Sequence, residues 1–164
     1  MEIVIKPMES AEEIRGKAFV HWKSWQESYK GVVDAGYLAR LTLEKCEEIA
    51  FRFPESVLVA KDGETVVGFA AAGKYRGESG AEKDEGEVYA LYVLEAYQRR
   101  QIGYALMRRA LEMLSGCRAA YVWVLAENAK AIRFYERVGF RADGAEKELV
   151  LGAPIRVVLM AMEL

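Results

Sequence analysis

The chain predicts an α/β fold in one domain, and a few local patterns carry that reading. Runs rich in Val, Ile, Tyr and Leu alternate with helix-period segments in the order βααβββαβαββ. Asp62-Gly63 separates two such runs and is a strong hairpin turn. Residues Glu87–Leu114 join a strand, a basic turn and a long amphipathic helix without interruption. At 164 residues the chain is long enough to bury a sizeable core within a single domain spanning 1–164.

The elements follow in order. Ile3–Lys6 is a short strand. Ala11–Tyr29 reads as a helix with Ser10 as N-cap and Gly31 as stop. A second helix is expected over Asp34–Leu41, and Thr42–Phe53 continues helical until Pro54. Ser56–Lys61 and Thr65–Lys74 form the hairpin. Tyr75–Gly86 is a charged, glycine-containing loop leading to Glu87–Leu94, a strand with no breaker inside it. Alternation puts Glu87, Tyr89, Leu91 and Val93 on one face and Val88, Ala90 and Tyr92 on the other, unless a bulge intervenes. The next helix opens on glycine and sets Leu106, Met107, Ala110, Leu111 and Leu114 along one side. Ala119–Leu125 is strand-like. Asn128 then caps a helix that Gly139 stops, with Ala131, Ile132, Tyr135 and Val138 on one side. Phe140–Val150 is expected to pair with Ile155–Met162 across Gly152-Ala153-Pro154.

Composition narrows the function classes. Hydrophobic residues make up 52% and charged residues 29%, the balance of a soluble globular chain. A net charge of −2 argues against a nucleic-acid partner, which would need a broad basic face. No apolar run reaches membrane-spanning length and the N-terminus lacks a secretion-signal pattern, so no membrane partner and a cytoplasmic location are expected. Cys46 and Cys117 have no CxxC spacing and His21 is the lone histidine; no metal site is expected, and both thiols should be free.

The basic turn carries the chemistry. A helix N-terminus presents unpaired N–H groups and the positive end of the helix dipole, which suits a phosphate or pyrophosphate. Arg99 and Arg100 reinforce that preference for an anion.

Two motifs turn this cradle into a resemblance. Gln98-Arg99-Arg100-Gln101-Ile102-Gly103 resembles the Q/R-x-x-G-x-G/A motif of the GNAT superfamily of acetyl-CoA-dependent N-acetyltransferases. The run Asn128-Ala129-Lys130-Ala131-Ile132-Arg133-Phe134-Tyr135-Glu136-Arg137-Val138-Gly139-Phe140 resembles that family's N-x-x-A-x-x-F-Y-x-x-x-G-F. Gln101 departs from the pattern, since the family usually has glycine there. Glutamine is disfavoured at positive φ, so either the loop takes another route or the position needs no positive φ.

The resemblance implies a mixed, mostly antiparallel central sheet of about six to seven strands with helices on both faces. It implies acetyl-CoA as donor and CoA as product. The strand around Leu91, Tyr92 and Val93 would splay from its neighbour to receive the pantetheine arm, with the Val93 N–H stabilising the oxyanion. Gln98 would open the turn, and the backbone N–H groups of Arg99, Arg100, Gln101, Ile102, Gly103 and Tyr104 would cradle the pyrophosphate. Asn128 would contact pantetheine, and the Tyr135 hydroxyl would serve as general acid toward sulfur.

An acetyl thioester is already electrophilic, so the obstacle is the amine. With a reference pKa of about 10.4, roughly one alkylammonium in a few thousand is neutral at pH 7. A base must take its proton. Glu87 is the first candidate, working through water, with Glu27, Asp34 and His21 as competitors. Residues 21–31 look like the first-helix pattern of a bacterial and archaeal subgroup that includes polyamine acetyltransferases. Trp22, Trp25 and Tyr29 share one helical side; Trp25 and Tyr29 are read as an aromatic wall for an amine, Trp22 as packing on the sheet. Glu78, Glu82, Asp84 and Glu85 could attract a polycation.

The expected activity is therefore direct acetyl transfer to a primary amine on a small molecule, with polyamines as first candidate. A protein or peptide N-terminus is the enzymatic alternative, and a catalytically inactive acyl-CoA-binding regulatory module the non-enzymatic one. The apolar Ile155–Leu164 run permits the homodimer that such proteins often form through their C-terminal strands.

Overall fold

A computed structural model of the chain describes residues 2–77 and 84–164. Its elements are β1 (Ile3–Pro7), α1 (Ala11–Ser28), α2 (Ala35–Arg40), α3 (Leu43–Arg52), β2 (Val57–Asp62), β3 (Thr65–Lys74), β4 (Glu85–Val93), α4 (Ile102–Met113), β5 (Ala119–Leu125), α5 (Ala129–Val138), β6 (Arg141–Leu151) and β7 (Ala153–Glu163). A single 3-10 turn, Glu95–Tyr97, lies between β4 and α4.

Local chemistry sets the boundaries. Ser10 accepts from the Glu13 N–H while the Glu13 side chain accepts from the Ser10 N–H, a reciprocal cap that starts α1. The expected continuous helix from Asp34 to Phe53 is two helices. Thr42 is itself an N-cap, its hydroxyl accepting from the Lys45 N–H at 3.2 Å, and Leu41 before it is extended. β4 starts two residues earlier than expected because the Tyr75 N–H donates to the Glu85 carbonyl and prolongs the β3–β4 ladder.

The seven strands form one sheet in the order β1-β2-β3-β4-β5-β7-β6. Neighbours pair antiparallel except β4 and β5, which pair parallel only over Glu85–Glu87 against Ala119–Tyr121. Helices cover both faces. On one, Ile102, Leu106, Met107, Ala110 and Leu114 join Val88, Ala120, Val122, Tyr135 and Phe140 in the main core. On the other, Val20 of α1 packs with Val57, Val59, Val66 and Phe69. β6 is the far edge strand, and nearly all of its residues are exposed. Both cysteines are free thiols. Among the described residues no helix is long and apolar enough to cross a membrane.

Candidate active site

The site begins where β4 and β5 part. Their last parallel pair is Glu87 with Tyr121, after which β5 remains paired to β7 through Leu125. A bulge bends β4 at this point: Ala72 lies opposite Val88 and Ala71 opposite Ala90, leaving Tyr89 as the extra residue. The bulge overturns the simple alternation expected from sequence. Val88, Leu91 and Val93 now share the α4 face, while Ala90 and Tyr92 pack on the α1 side. Glu87 precedes Val88 and so belongs to the α1 side, apart from Leu91 and Val93.

Beyond the bulge, the Leu94 N–H donates to the Val67 carbonyl at 2.9 Å. Strand alternation therefore turns the N–H and C=O of Val93 toward the opened β5 side. The Val93 carbonyl accepts from the Gln98 side-chain amide at 3.0 Å, which ties the turn to the strand end, and the Val93 N–H faces the gap. Gln98 also accepts from Lys130 at 2.6 Å and so links the turn to α5.

The turn has a concave backbone. Arg99 and Gln101 have φ of 64° and 65°, whereas Arg100 between them does not take positive φ. Alternation of this kind directs successive N–H groups into one hollow, an anion-binding geometry. α4 starts immediately afterwards, adding the first-turn N–H groups of Ile102, Gly103 and Tyr104, with no acidic residue in that turn. Gln101 thus adopts the left-handed conformation that glycine would favour, which overturns the alternative that this position needs no positive φ. At Gly103, an added Cβ would meet the Phe134 ring at an ordinary 3.5 Å. The hollow and the helix terminus fit a pyrophosphate, and the residues that would hold one are Arg99 to Tyr104.

α5 closes the other side. The Asn128 side-chain oxygen accepts from the Ala131 N–H at 3.1 Å, so Asn128 is the helix cap. Tyr135 is buried, with its ring edge-on to Phe134 at 5.5 Å and Phe140 at 5.8 Å. Burial, and then the charge of a nearby Tyr29 oxyanion were it to form, hold its hydroxyl well above the ordinary tyrosine value. It stays protonated through the neutral range.

From α1, Tyr29 and Tyr92 bring their hydroxyls to 3.2 Å of each other, and Trp25 packs edge-on against Tyr29 at 4.8 Å. The Trp25 indole N–H is buried without an acceptor at full hydrogen-bond geometry, yet it lies close enough to the Tyr92 hydroxyl to favour its ionised form slightly. Trp22 separates from this pair and packs between α1 and α3 with Ala18 and Cys46. His21 stacks on Tyr92 at 6.4 Å, and burial, followed by the charge of Lys17, pushes its pKa down to about 4.

The candidate bases lie differently. The Glu87 carboxylate is buried and engaged by Arg76, through its backbone N–H at 3.1 Å and its guanidinium at 3.0 Å. Glu87 sits at the closed end of the gap, set apart from Val93 by the bulge. Glu27 accepts from the Glu95 N–H and Asp34 caps α2. Glu85 is buried, accepting from Arg118 at 3.2 Å and from the Tyr121 hydroxyl, which it pushes up to about 12. Asp84 is exposed, and Glu78 and Glu82 lie outside the described residues.

The structure ties Gln98 to the Val93 end of β4 and to Lys130 of α5, groups Leu91, Val93 and Tyr135 in one core and Trp25, Tyr29 and Tyr92 in another on the α1 side, sets Asn128 at the start of α5, and leaves Glu87 at the last parallel pair of β4 and β5. Sequence reasoning missed Arg76 and Lys130. Arg76 lies in a charged loop with no pattern to mark it, whereas Lys130 occupies a variable position of the second motif.

A model of the acetyltransferase (GNAT) family matches residues 19–140. The chain is 36% identical over 156 residues to the uncharacterised N-acetyltransferase YuaI of Bacillus subtilis, covering 87% of this chain and 88% of that one. A mycothiol acetyltransferase of Brachybacterium faecium is 32% identical over 118 residues, 71% of this chain and 35% of the relative. Among solved structures, the PaiA N-acetyltransferase from Thermoplasma acidophilum, in complex with coenzyme A, shares the fold with a TM-score of 0.75 at 20% identity over the whole of both chains.

Proposed function

The chain belongs to the GNAT acetyltransferase family and is an N-acetyltransferase, and from that premise we propose that it moves an acetyl group from acetyl-CoA directly to the primary amine of a small molecule such as a polyamine. The observation that carries this reading is the conjunction of the opened β4 end, the left-handed turn at Arg99 and Gln101, and the buried Tyr135 hydroxyl. That the PaiA relative was solved with coenzyme A supports the choice of donor.

Each group has a task in this reading. The hollow from Arg99 to Tyr104 holds the pyrophosphate, while Leu91, Tyr92, Val93 and Asn128 line the path of the pantetheine arm. The inward Val93 N–H donates to the oxygen on which charge develops. Tyr135, protonated at neutral pH, donates to the departing sulfur. Trp25 and Tyr29 form the wall for the amine, and Glu87 receives the ammonium proton through water. The relative that is a mycothiol acetyltransferase supports a small-molecule acceptor. We extend the reading to a homodimer through β6, whose exposed edge carries Leu149 and Val150; light scattering on the purified protein would test it.

The reading is tested by titrating the protein with acetyl-CoA by calorimetry, then adding amines and following free CoA thiol. The panel is spermidine, simple alkylamines and an alanine-initiated peptide. Thiol release on spermidine or an alkylamine is expected. Release on the peptide alone moves the acceptor to a protein N-terminus, and binding without release on any of them favours a regulatory module.

A further inference from the structure

The turn before α4 is gripped by a side chain that lies outside the hollow itself. Tyr97 ends the 3-10 turn, its N–H donating to the Leu94 carbonyl at 2.8 Å, and its half-buried ring packs against the main core. Phenylalanine would pack as well. The Tyr97 hydroxyl, however, donates to the Asp62 carboxylate at 2.8 Å, joining residues 35 positions apart in the chain. Asp62 is the last residue of β2 and leads into the β2–β3 hairpin turn at Gly63, where φ is 60°. A hydrogen bond to a carboxylate is among the stronger kinds, so it fastens the turn to the hairpin. The Arg100 guanidinium lies over the same ring, 5.3 Å from its centroid, at cation–π distance.

We propose that Tyr97 is a positioning residue for the cofactor: through Asp62 it fixes the turn in its pyrophosphate-binding shape, and with its ring it steadies Arg100. This rests on the reading of Arg99 to Tyr104 as the pyrophosphate cradle, and it adds Tyr97 and Asp62 as the pair that shapes that cradle from the β2–β3 hairpin. Neither residue touches the cofactor in this role. Both act through the backbone and the arginine that follow them.

The turn needs such a hold. Arg99 and Gln101, neither of them glycine, take φ of 64° and 65° within three residues. Strain of that kind persists only where the surroundings over-determine it. Behind the turn, Ile102 and Leu106 of α4 are buried in the core. Ahead of it, the Gln98 side-chain amide reaches the Val93 carbonyl at 3.0 Å and ties the turn to β4. Tyr97 ties it to β2, two strands away in the sheet, so the turn is braced against a second element. A turn left loose would have to be ordered as the cofactor binds, and that ordering would lower affinity. A guanidinium already resting on an aromatic ring likewise loses less freedom when it meets a phosphate.

Calorimetry with two donors tests this without any amine: acetyl-CoA, and S-acetylpantetheine, which has the thioester arm but no pyrophosphate. Tyr97→Phe keeps the ring and removes the hydroxyl, and Asp62→Ala removes its acceptor. Each is expected to weaken acetyl-CoA binding at least about five-fold and S-acetylpantetheine binding less than about two-fold. The double variant should bind acetyl-CoA no more weakly than the weaker single one, since both remove the same bond. Asp62→Asn still offers an accepting oxygen and should bind acetyl-CoA at least about three-fold more tightly than Asp62→Ala. A general loosening of the fold would weaken both donors alike and would not be rescued by asparagine. Acetyl-CoA affinity within two-fold of wild type in Tyr97→Phe, equal weakening of both donors, or no rescue in Asp62→Asn overturns the proposal. If the wild-type protein binds acetyl-CoA no more tightly than S-acetylpantetheine, the turn holds no pyrophosphate and the cradle reading falls as well. If it binds acetyl-CoA far more tightly while Tyr97→Phe is unimpaired, the cradle stands and the positioning role alone falls.

Discussion

Gln101 holds a left-handed backbone conformation, φ 65° and ψ 9°, in which an L side chain crowds the following carbonyl. That costs about 1 kcal/mol, and the turn accepts it because it folds three consecutive residues around one hollow. Gln101→Gly is therefore expected to raise stability by up to about 1 kcal/mol in urea unfolding, the relief of strain exceeding the added freedom of the unfolded chain. Gln101→Ile, β-branched at the same φ, should lower stability by about 1–2 kcal/mol and weaken acetyl-CoA binding by calorimetry. The motif around Gln101 was legible because its residue types are unusual together. Its conformation was not, because a preference worth about 1 kcal/mol is small beside the burial of Ile102 and Leu106 directly behind it. Tyr135 is the other residue-scale test: Tyr135→Phe should bind acetyl-CoA normally and turn over at least about ten-fold slower, a barrier rise of about 1.4 kcal/mol or more.

At the scale of elements, caps were the most readable feature. Ser10, Asn128 and Gly139 each mark the boundary that sequence assigns them. Thr42 is of the same kind, and it divides α2 from α3 although the helical pattern of the sequence runs through it. Thr42→Ala should cost about 1 kcal/mol in urea unfolding, the ordinary loss for a removed hydroxyl cap, without altering acetyl-CoA binding. The β4 bulge was the least readable. Nothing in Val88-Tyr89-Ala90 sets it apart from a regular strand, because the extra residue is imposed by register against β3. The bulge is nonetheless what separates Glu87 from Leu91 and Val93 and delivers Tyr92 to the face where Tyr29 lies. A strand pattern can locate such a site, but pairing decides which side chains enter it.

Across the whole molecule, α1 meets the sheet through two groups, the buried Glu13 and the half-buried His21, that respond to acid in the same sense. The Glu13 carboxylate accepts from the Glu9 and Ser10 N–H groups and pairs with Lys6 at 2.7 Å and Lys61 at 3.1 Å, joining β1, α1 and β2. The Lys6 hydrogen bond, foremost, holds this carboxyl far below the usual range. Its contribution is present above the unfolded carboxyl value near 4.5 and is lost as pH falls below it. His21 acts earlier. Burial lowers it from 6.5 to about 4, so the folded protein keeps it neutral while the unfolded chain protonates it. Between those values the unfolded state binds more protons, and stability must fall as pH drops from 6.5 toward 4, by about 2–3 kcal/mol. Urea unfolding at pH 7, 5 and 4 should show this decline, and His21→Gln should flatten the portion above pH 4.5 while leaving the Glu13-dependent loss below it. A stability curve level from pH 7 to 5 in the wild-type protein would mean that His21 is hydrated in solution, and that α1 lies less tightly against Tyr92 than its 6.4 Å stacking distance implies.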